Sequence, residues 1–254
     1  MWMLDGLQTA LATPGLVWLI LITIIAGVVY GFAGFGAALI YMPVAVIFLT
    51  PVMAIASFSV SAISSVVTVF PKAVPLVNRK AVTILIVSAS LAASLGIWVL
   101  RITDVTIIRW AVVVFCAVTL AALVAGWRYA VEPSTRTRVI IGGAAGFVGG
   151  LSGLMGPIMV LFQLAGRDSI STTRATTVVF LTVTSLLMLP LMAAQGVLTA
   201  QAVALGAVLL VPYGVGALIG QAMFLPDRER FYRVVAYAII GLATLAGVPL
   251  WDRL

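Results

Sequence analysis

The chain has no histidine, one cysteine and very little charge: of 254 residues, 14 are Lys or Arg and 7 are Asp or Glu, 8% in all. Each shortage closes off a class of function. Without histidine, the commonest metal ligand and the usual near-neutral proton carrier are missing. Cys116 has no partner for an intrachain disulfide, and it lies in an apolar run, where a cysteine serves as a small packing residue. The carboxylates Asp5, Asp104, Glu132, Asp168, Asp227, Glu229 and Asp252 all flank or connect apolar segments. A buried carboxylate relay of the kind that drives a cation antiporter is therefore not expected. No paired carboxylates and no Ser–Lys or Cys–His set are present, so no catalytic residue, metal or cofactor is expected, and an enzyme is the least favoured class.

What remains is apolar. Hydrophobic residues make up 63% of the chain and the mean hydropathy is +1.26, whereas a soluble domain keeps about a quarter of its residues charged. Residues 6–71, 81–100, 110–127, 139–166, 175–226 and 234–251 contain no Asp, Glu, Lys or Arg. A helix needs about 20 residues to cross the hydrocarbon core, so these runs predict an all-α polytopic membrane protein with the lipid bilayer as its surroundings. The N-terminus lacks the basic region of a cleavable signal peptide, and the first apolar segment is expected to be retained.

The net charge of +7 sits in short connections, the places that fix membrane orientation, so no nucleic-acid partner is expected. Turns and charges divide the chain into eight apolar blocks, at 15–49, 52–70, 81–100, 106–128, 139–166, 172–194, 199–225 and 231–250. The most polar connection, Glu132 to Arg138, separates a first membrane repeat, 1–130, from a second, 131–254. If every block crossed once, the basic residues would divide about evenly between the two sides. If blocks one and five each enter and return on one face, the halves become inverted repeats. Basic residues then divide 11 to 3, with Arg101, Arg109 and Arg253 alone outside. The positive-inside rule selects the second arrangement. It places the basic segments 72–80, 128–138, 167–174 and 228–233 in the cytoplasm and the protein in a cell (inner) membrane.

Two glycine-rich stretches mark the places where those blocks would fold. Gly27, Gly31, Gly34 and Gly36 lead to Pro43; Gly146, Gly149, Gly150, Gly153 and Gly156 lead to Pro157. The step from Gly31 to Gly34 equals that from Gly150 to Gly153, at an offset of 119 residues. Paired, interrupted apolar segments in two halves point to a transporter with its site between the breaks. A proline after Gly156 suits the first turn of a new helix. Helix starts are thus expected near Pro157 and near Ala37, with their N-termini turned toward a shared anion. Close helix packing through small residues is the competing explanation of the same glycines, and Gly27-x3-Gly31 alone would fit it.

Hydroxyls follow each break. Ser57, Ser61, Ser64, Ser65 and Thr68 fall on one helical face, as do Thr173, Thr176, Thr177, Thr184 and Ser185, with Thr182 beside them. Such neutral donors either hold an oxyanion or bond neighbouring helices; both place the faces inward. Arg174, just inside block six, either reaches an anion or snorkels to the headgroups. The candidate substrate-binding residues are Gly31, Gly34, Gly36, Ser57, Ser61, Gly150, Gly153, Gly156, Pro157, Arg174 and Thr177.

The stretch Gly146-Phe-Val-Gly-Gly-Leu-Ser-Gly-Leu-Met-Gly-Pro-Ile-Met-Val-Leu-Phe162 resembles the signature of the TauE/SafE family of sulfite and organosulfonate exporters, and the first glycine stretch resembles its partner repeat. The resemblance covers nearly the whole chain. It implies a secondary transporter, an exporter of a small anion such as sulfite or an organosulfonate, working by alternating access. Many family members have three consecutive glycines where this chain has Gly36-Ala37-Ala38, and Gly156-Pro157 stands in for the second run. An anion channel and a non-transporting membrane assembly subunit are the alternatives; a homo-oligomer is compatible with either.

Overall fold

Helices form wherever the apolar blocks run, and their ends are set by glycine, proline and hydroxyl caps. The computed structural model describes residues 2–126, 134–163, 169–223 and 229–249, which contain helices and turns and no strand. The first half comprises α1 (Trp2–Leu11), α2 (Leu16–Ala33), α3 (Ala37–Phe48), α4 (Pro51–Ser61), the short α5 (Ser65–Thr68) and α6 (Phe70–Ala73), α7 (Arg79–Ile102) and α8 (Val105–Val124). The second comprises α9 (Thr135–Ser152), α10 (Gly156–Gln163), α11 (Ile170–Ala194), α12 (Ala200–Met223) and α13 (Glu229–Ala246). Thr50, Asn78, Asp104, Ser134 and Ser169 each cap a helix start by accepting a first-turn backbone N–H. Of the basic residues expected on one side, Arg128, Arg167 and Arg228 lie outside the described residues.

Six helical segments are long and apolar enough to cross a membrane: 16–33, 51–68, 79–102, 105–124, 171–194 and 200–223. Their outer faces are apolar as well. On α7, Val87, Leu91, Leu95 and Trp98 are exposed while Leu85, Ala89, Ala93 and Gly96 are buried. Water would demand a polar stripe on the exposed side; lipid does not.

Two elements differ from the block reading. The first block does not begin the structure, because α1 forms ahead of it and packs on α12, where Gly6 lies over Ala200 and Ala204. Block two is not one regular helix. It tightens to a 3-10 turn at Ala62–Ser64 and continues as α5 and α6. The cause is its own serines: Ser59, Ser61, Ser64 and Ser65 each donate a side-chain hydrogen bond to a carbonyl three or four residues earlier, which bends and tightens a helix.

Two pairs of helices match in length at nearly one offset. Adding 119 to the bounds of α2, 16–33, gives 135–152, the bounds of α9. Adding 121 to those of α7, 79–102, gives 200–223, the bounds of α12. The corresponding elements are exchanged in space, because α2 packs along α12 of the other half and α9 along α7. Small residues make both seams. A Cβ on Gly27 or Gly31 would run into the backbone at Tyr213 or Ala217, and one on Gly216 or Gly220 into Ile24 or Val28. On the second seam, Gly146 and Gly150 lie against Ala89 and Ala93, and Gly96 against Phe147. Helices meet this closely in lipid because backbone-to-backbone contact replaces a hydrophobic drive that lipid cannot supply.

Candidate functional site

Both glycine stretches break where expected. Gly34 ends α2 in the left-handed conformation at φ 79°, and Gly36, at φ 92°, precedes α3. Gly153 ends α9 at φ 78°, and α10 begins at Gly156. No residue other than glycine has a positive φ among those described, so these three positions need glycine for conformation. The helix starts fall at Ala37 and Gly156, where the spacing predicted them.

The two starts share one cavity. It is lined by Ala37, Ala38 and Leu39 of α3 and by Gly156 and Pro157 of α10. Ile40 is the first residue of α3 whose N–H returns to a carbonyl across the turn, bonding Gly36 at 3.2 Å; the amides before it have no acceptor within the helix. Helices α4 and α5 close one side with Ile55, Phe58, Ser59 and Ser65, and α11 closes the other with Leu181, Thr182, Ser185 and Met188.

The hydroxyls at this cavity form a short network across the halves. The Tyr30 hydroxyl lies 3.0 Å from the Thr182 hydroxyl and donates to the Val178 carbonyl at 3.3 Å. The Ser65 and Thr182 hydroxyls are 3.1 Å apart. Tyr30 also faces Tyr213, ring centres 6.0 Å apart, and Tyr213 meets Phe58 edge-on at 5.8 Å. No Lys or Arg lines the cavity among the described residues.

The expected site residues divide into three groups. Gly36, Gly153, Gly156 and Pro157 line the cavity together. Gly31 and Gly150 lie in the two helix seams, against α12 and α7, and Gly34 lies at the end of α2 against the Arg174 side chain. Ser57, Ser61, Arg174 and Thr177 are outside the lining. Ser57 bonds the Tyr41 hydroxyl at 3.1 Å, and Ser61 and Thr177 bond their own helix. Arg174 does not line the cavity. Its guanidinium donates to the carbonyls of Phe32, at 3.0 Å, and Gly31. These are carbonyls left open at the C-terminus of α2, where the helix dipole also favours a cation.

Tyr30, Tyr213, Ser59, Ser65 and Ser185 line the cavity without having been among the expected site residues. Periodicity found the hydroxyl face of α4 but not its boundary. The lining positions 55, 58, 59, 62 and 65 run along one edge, while the Ser57 side chain turns to Tyr41 and that of Ser64 to Gly214 of α12. The signal for Tyr30 was its place between Gly27 and Gly34; Tyr213 carries no comparable mark.

The basic ends also group. Lys72 donates to Gln221 at 3.0 Å, and Gln221 to the Thr68 carbonyl at 3.3 Å. The backbone of Gln221 lies beside Gly31, whose carbonyl Arg174 holds. Lys72, Arg174 and the end of α12 thus meet at one end of the bundle. Arg79 and Arg101 mark opposite ends of α7.

Residues 19–246 match the protein family described as Sulfite exporter TauE/SafE. No curated protein and no solved structure matches the chain.

Proposed function

Since the chain belongs to the TauE/SafE sulfite exporter family, we propose that it is a secondary transporter that exports a small anion, sulfite or an organosulfonate, across the cell inner membrane. The observation that carries the proposal is the meeting of two helix N-termini, one from each half, at a single cavity. Such ends present unpaired amides and a partial positive charge. Substrate sits between Gly36 and Gly156, and the halves act as inverted repeats that move against each other to expose it alternately. The meeting of Lys72, Arg174 and the end of α12 at one end supports an inverted arrangement with that end in the cytoplasm. The cross-paired helix seams supply rigid units for the movement, and α2–α3 and α9–α10 each enter and return on one face.

The test is flux of labelled sulfite and of a labelled alkanesulfonate from proteoliposomes. Saturable flux is expected, abolished in Gly156→Leu and kept in Gly143→Leu, because a Cβ on Gly143 meets nothing within 4 Å. Non-saturating flux at channel rates would replace the transporter with an anion channel. A folded protein that moves no anion would leave the assembly-subunit reading.

A further inference from the structure

We infer that Arg174, Tyr30 and Thr182 form a releasable lock that closes the cavity toward the Lys72 end of the bundle; this rests on the transport reading and names the residues that control one of its two openings. The bonds run in sequence from the cavity outward. At the cavity the Tyr30 hydroxyl meets that of Thr182, which also meets Ser65 of α5. One turn back along α11, the Val178 carbonyl accepts from Tyr30 at 3.3 Å. One turn further back, Arg174 donates to the carbonyls of Phe32 and Gly31. Tyr30, Phe32 and Val178 are buried. This layer therefore stands between the cavity and the end where Lys72 meets Gln221.

The layer joins parts that the seams keep apart. Helix α2 is fastened to α12 through Gly27, Gly31, Gly216 and Gly220. Helix α11 packs on α7, against which α9 lies, and its Gln195 amide donates to the Ser94 carbonyl of α7 at 2.8 Å. The Tyr30 and Arg174 bonds thus span the two units whose relative movement transport requires. They are also suited to parting. Once released, Arg174 can carry its charge to water at the headgroups. Thr182 can turn to the Val178 carbonyl, one turn back on its own helix, as Thr184 does to Phe180. A glycine seam has no such second set of partners.

The lock is one-sided. At the offset of 119, the counterparts of Arg174 and Tyr30 are Ile55 and Gly149, neither of which has a side chain able to donate a hydrogen bond. In inverted halves those positions serve the opposite opening, which packing rather than bonding must close.

The test is the rate at which a membrane-impermeant thiosulfonate modifies a thiol in the cavity, in sealed vesicles holding the full-length protein. Cys116→Ala removes the native thiol, and Ser185→Cys places one in the lining. Arg79→Cys, made separately in the Cys116→Ala background, identifies the vesicle face that bears the Lys72 end, because residue 79 is exposed at the start of α7. From that face the cavity thiol is expected to react slowly. Adding Arg174→Met should speed it at least about tenfold, the scale of a lost bond to a charged group, and Tyr30→Phe about fivefold, the scale of a neutral one. From the opposite face neither variant should speed it. Unfolding midpoints establish that each variant is folded, and Tyr30→Phe carries the test if Arg174→Met is not. Folded variants that react like the parent, or that react faster from both faces alike, overturn the lock; labelled sulfite flux by the parent in the same vesicles then leaves transport standing. A folded parent without flux overturns the transport reading and this inference together.

Discussion

The two breaks do the same job with different chemistry. Each ends a helix on a left-handed glycine, Gly34 or Gly153, and opens another at the cavity. Around the first glycine the nearest neighbour is the Cγ of Arg174; around the second the neighbours are the side chains of Met42 and Ile55. Arg174 and Ile55 hold equivalent positions, since 174 less 119 is 55. One half thus fixes its break with a cation on open helix carbonyls, and the other fixes its break by apolar packing. The equivalent of Tyr30 is Gly149, since 30 plus 119 is 149; both line the cavity, one with a hydroxyl and one with a bare backbone. Similar backbone breaks thus carry unlike side chains, and the cavity gains two unlike walls.

The comparison breaks most completely if the seams are widened. Gly146→Leu forces a side chain into the Ala89 backbone. It is expected to cost more than about 3 kcal/mol, the upper range for overpacking, and to abolish the monodisperse peak in size-exclusion chromatography. Gly143→Leu, in open space, should stay within about 0.5 kcal/mol.

Next in size are the glycines and their neighbours. Arg174→Met removes the bonds to Gly31 and Phe32 and should lower stability by about 2 kcal/mol, measured by thermal unfolding in detergent. Ile55→Val, its counterpart, should cost only about 1 kcal/mol. Equal losses would mean that the two breaks are fixed alike. Gly153→Ala places a Cβ at φ 78°, a strain of about 1–2 kcal/mol. Gly34→Ala should exceed it, because its Cβ also falls 2.8 Å from Arg174 Cγ, and the excess should vanish in an Arg174→Ala background, which has no Cγ.

The smallest effect sharpens the comparison at the helix starts. Ala37 and Ala38 stand where many relatives are expected to carry glycine, yet neither has a positive φ, and both lie in the first turn of α3. Ala38→Gly should therefore destabilise by about 0.5–1 kcal/mol through added backbone freedom. A stabilised variant would show that the alanine is strained.

Much of the fold was legible because its signals are local. Charge-free runs, the Gly34–Gly36 and Gly153–Pro157 breaks and the helix starts depend on residues adjacent in the chain. Helix α1 was missed because Asp5 and Gly6 look in sequence like a polar lead-in, whereas α1 packs on α12, with Gly6 over Ala200 and Ala204. At the site, glycines of two kinds look alike in sequence. Gly31 and Gly34 are three residues apart, but one is small because α12 presses against it and the other because its φ is positive.

The sequence by itself determined the solvent of this protein, the duplication and the points where its helices stop and restart, because lipid solubility and backbone freedom are properties of short segments. Only the tertiary structure decided that Tyr213 and Ser185 meet the cavity, that Ser57 turns to Tyr41 and that Arg174 holds the end of α2. Which side of a buried face meets a helix and which meets a void is set by the neighbouring helices, and those neighbours lie far along the chain for Arg174 and Tyr213 and in the preceding helix for Ser57.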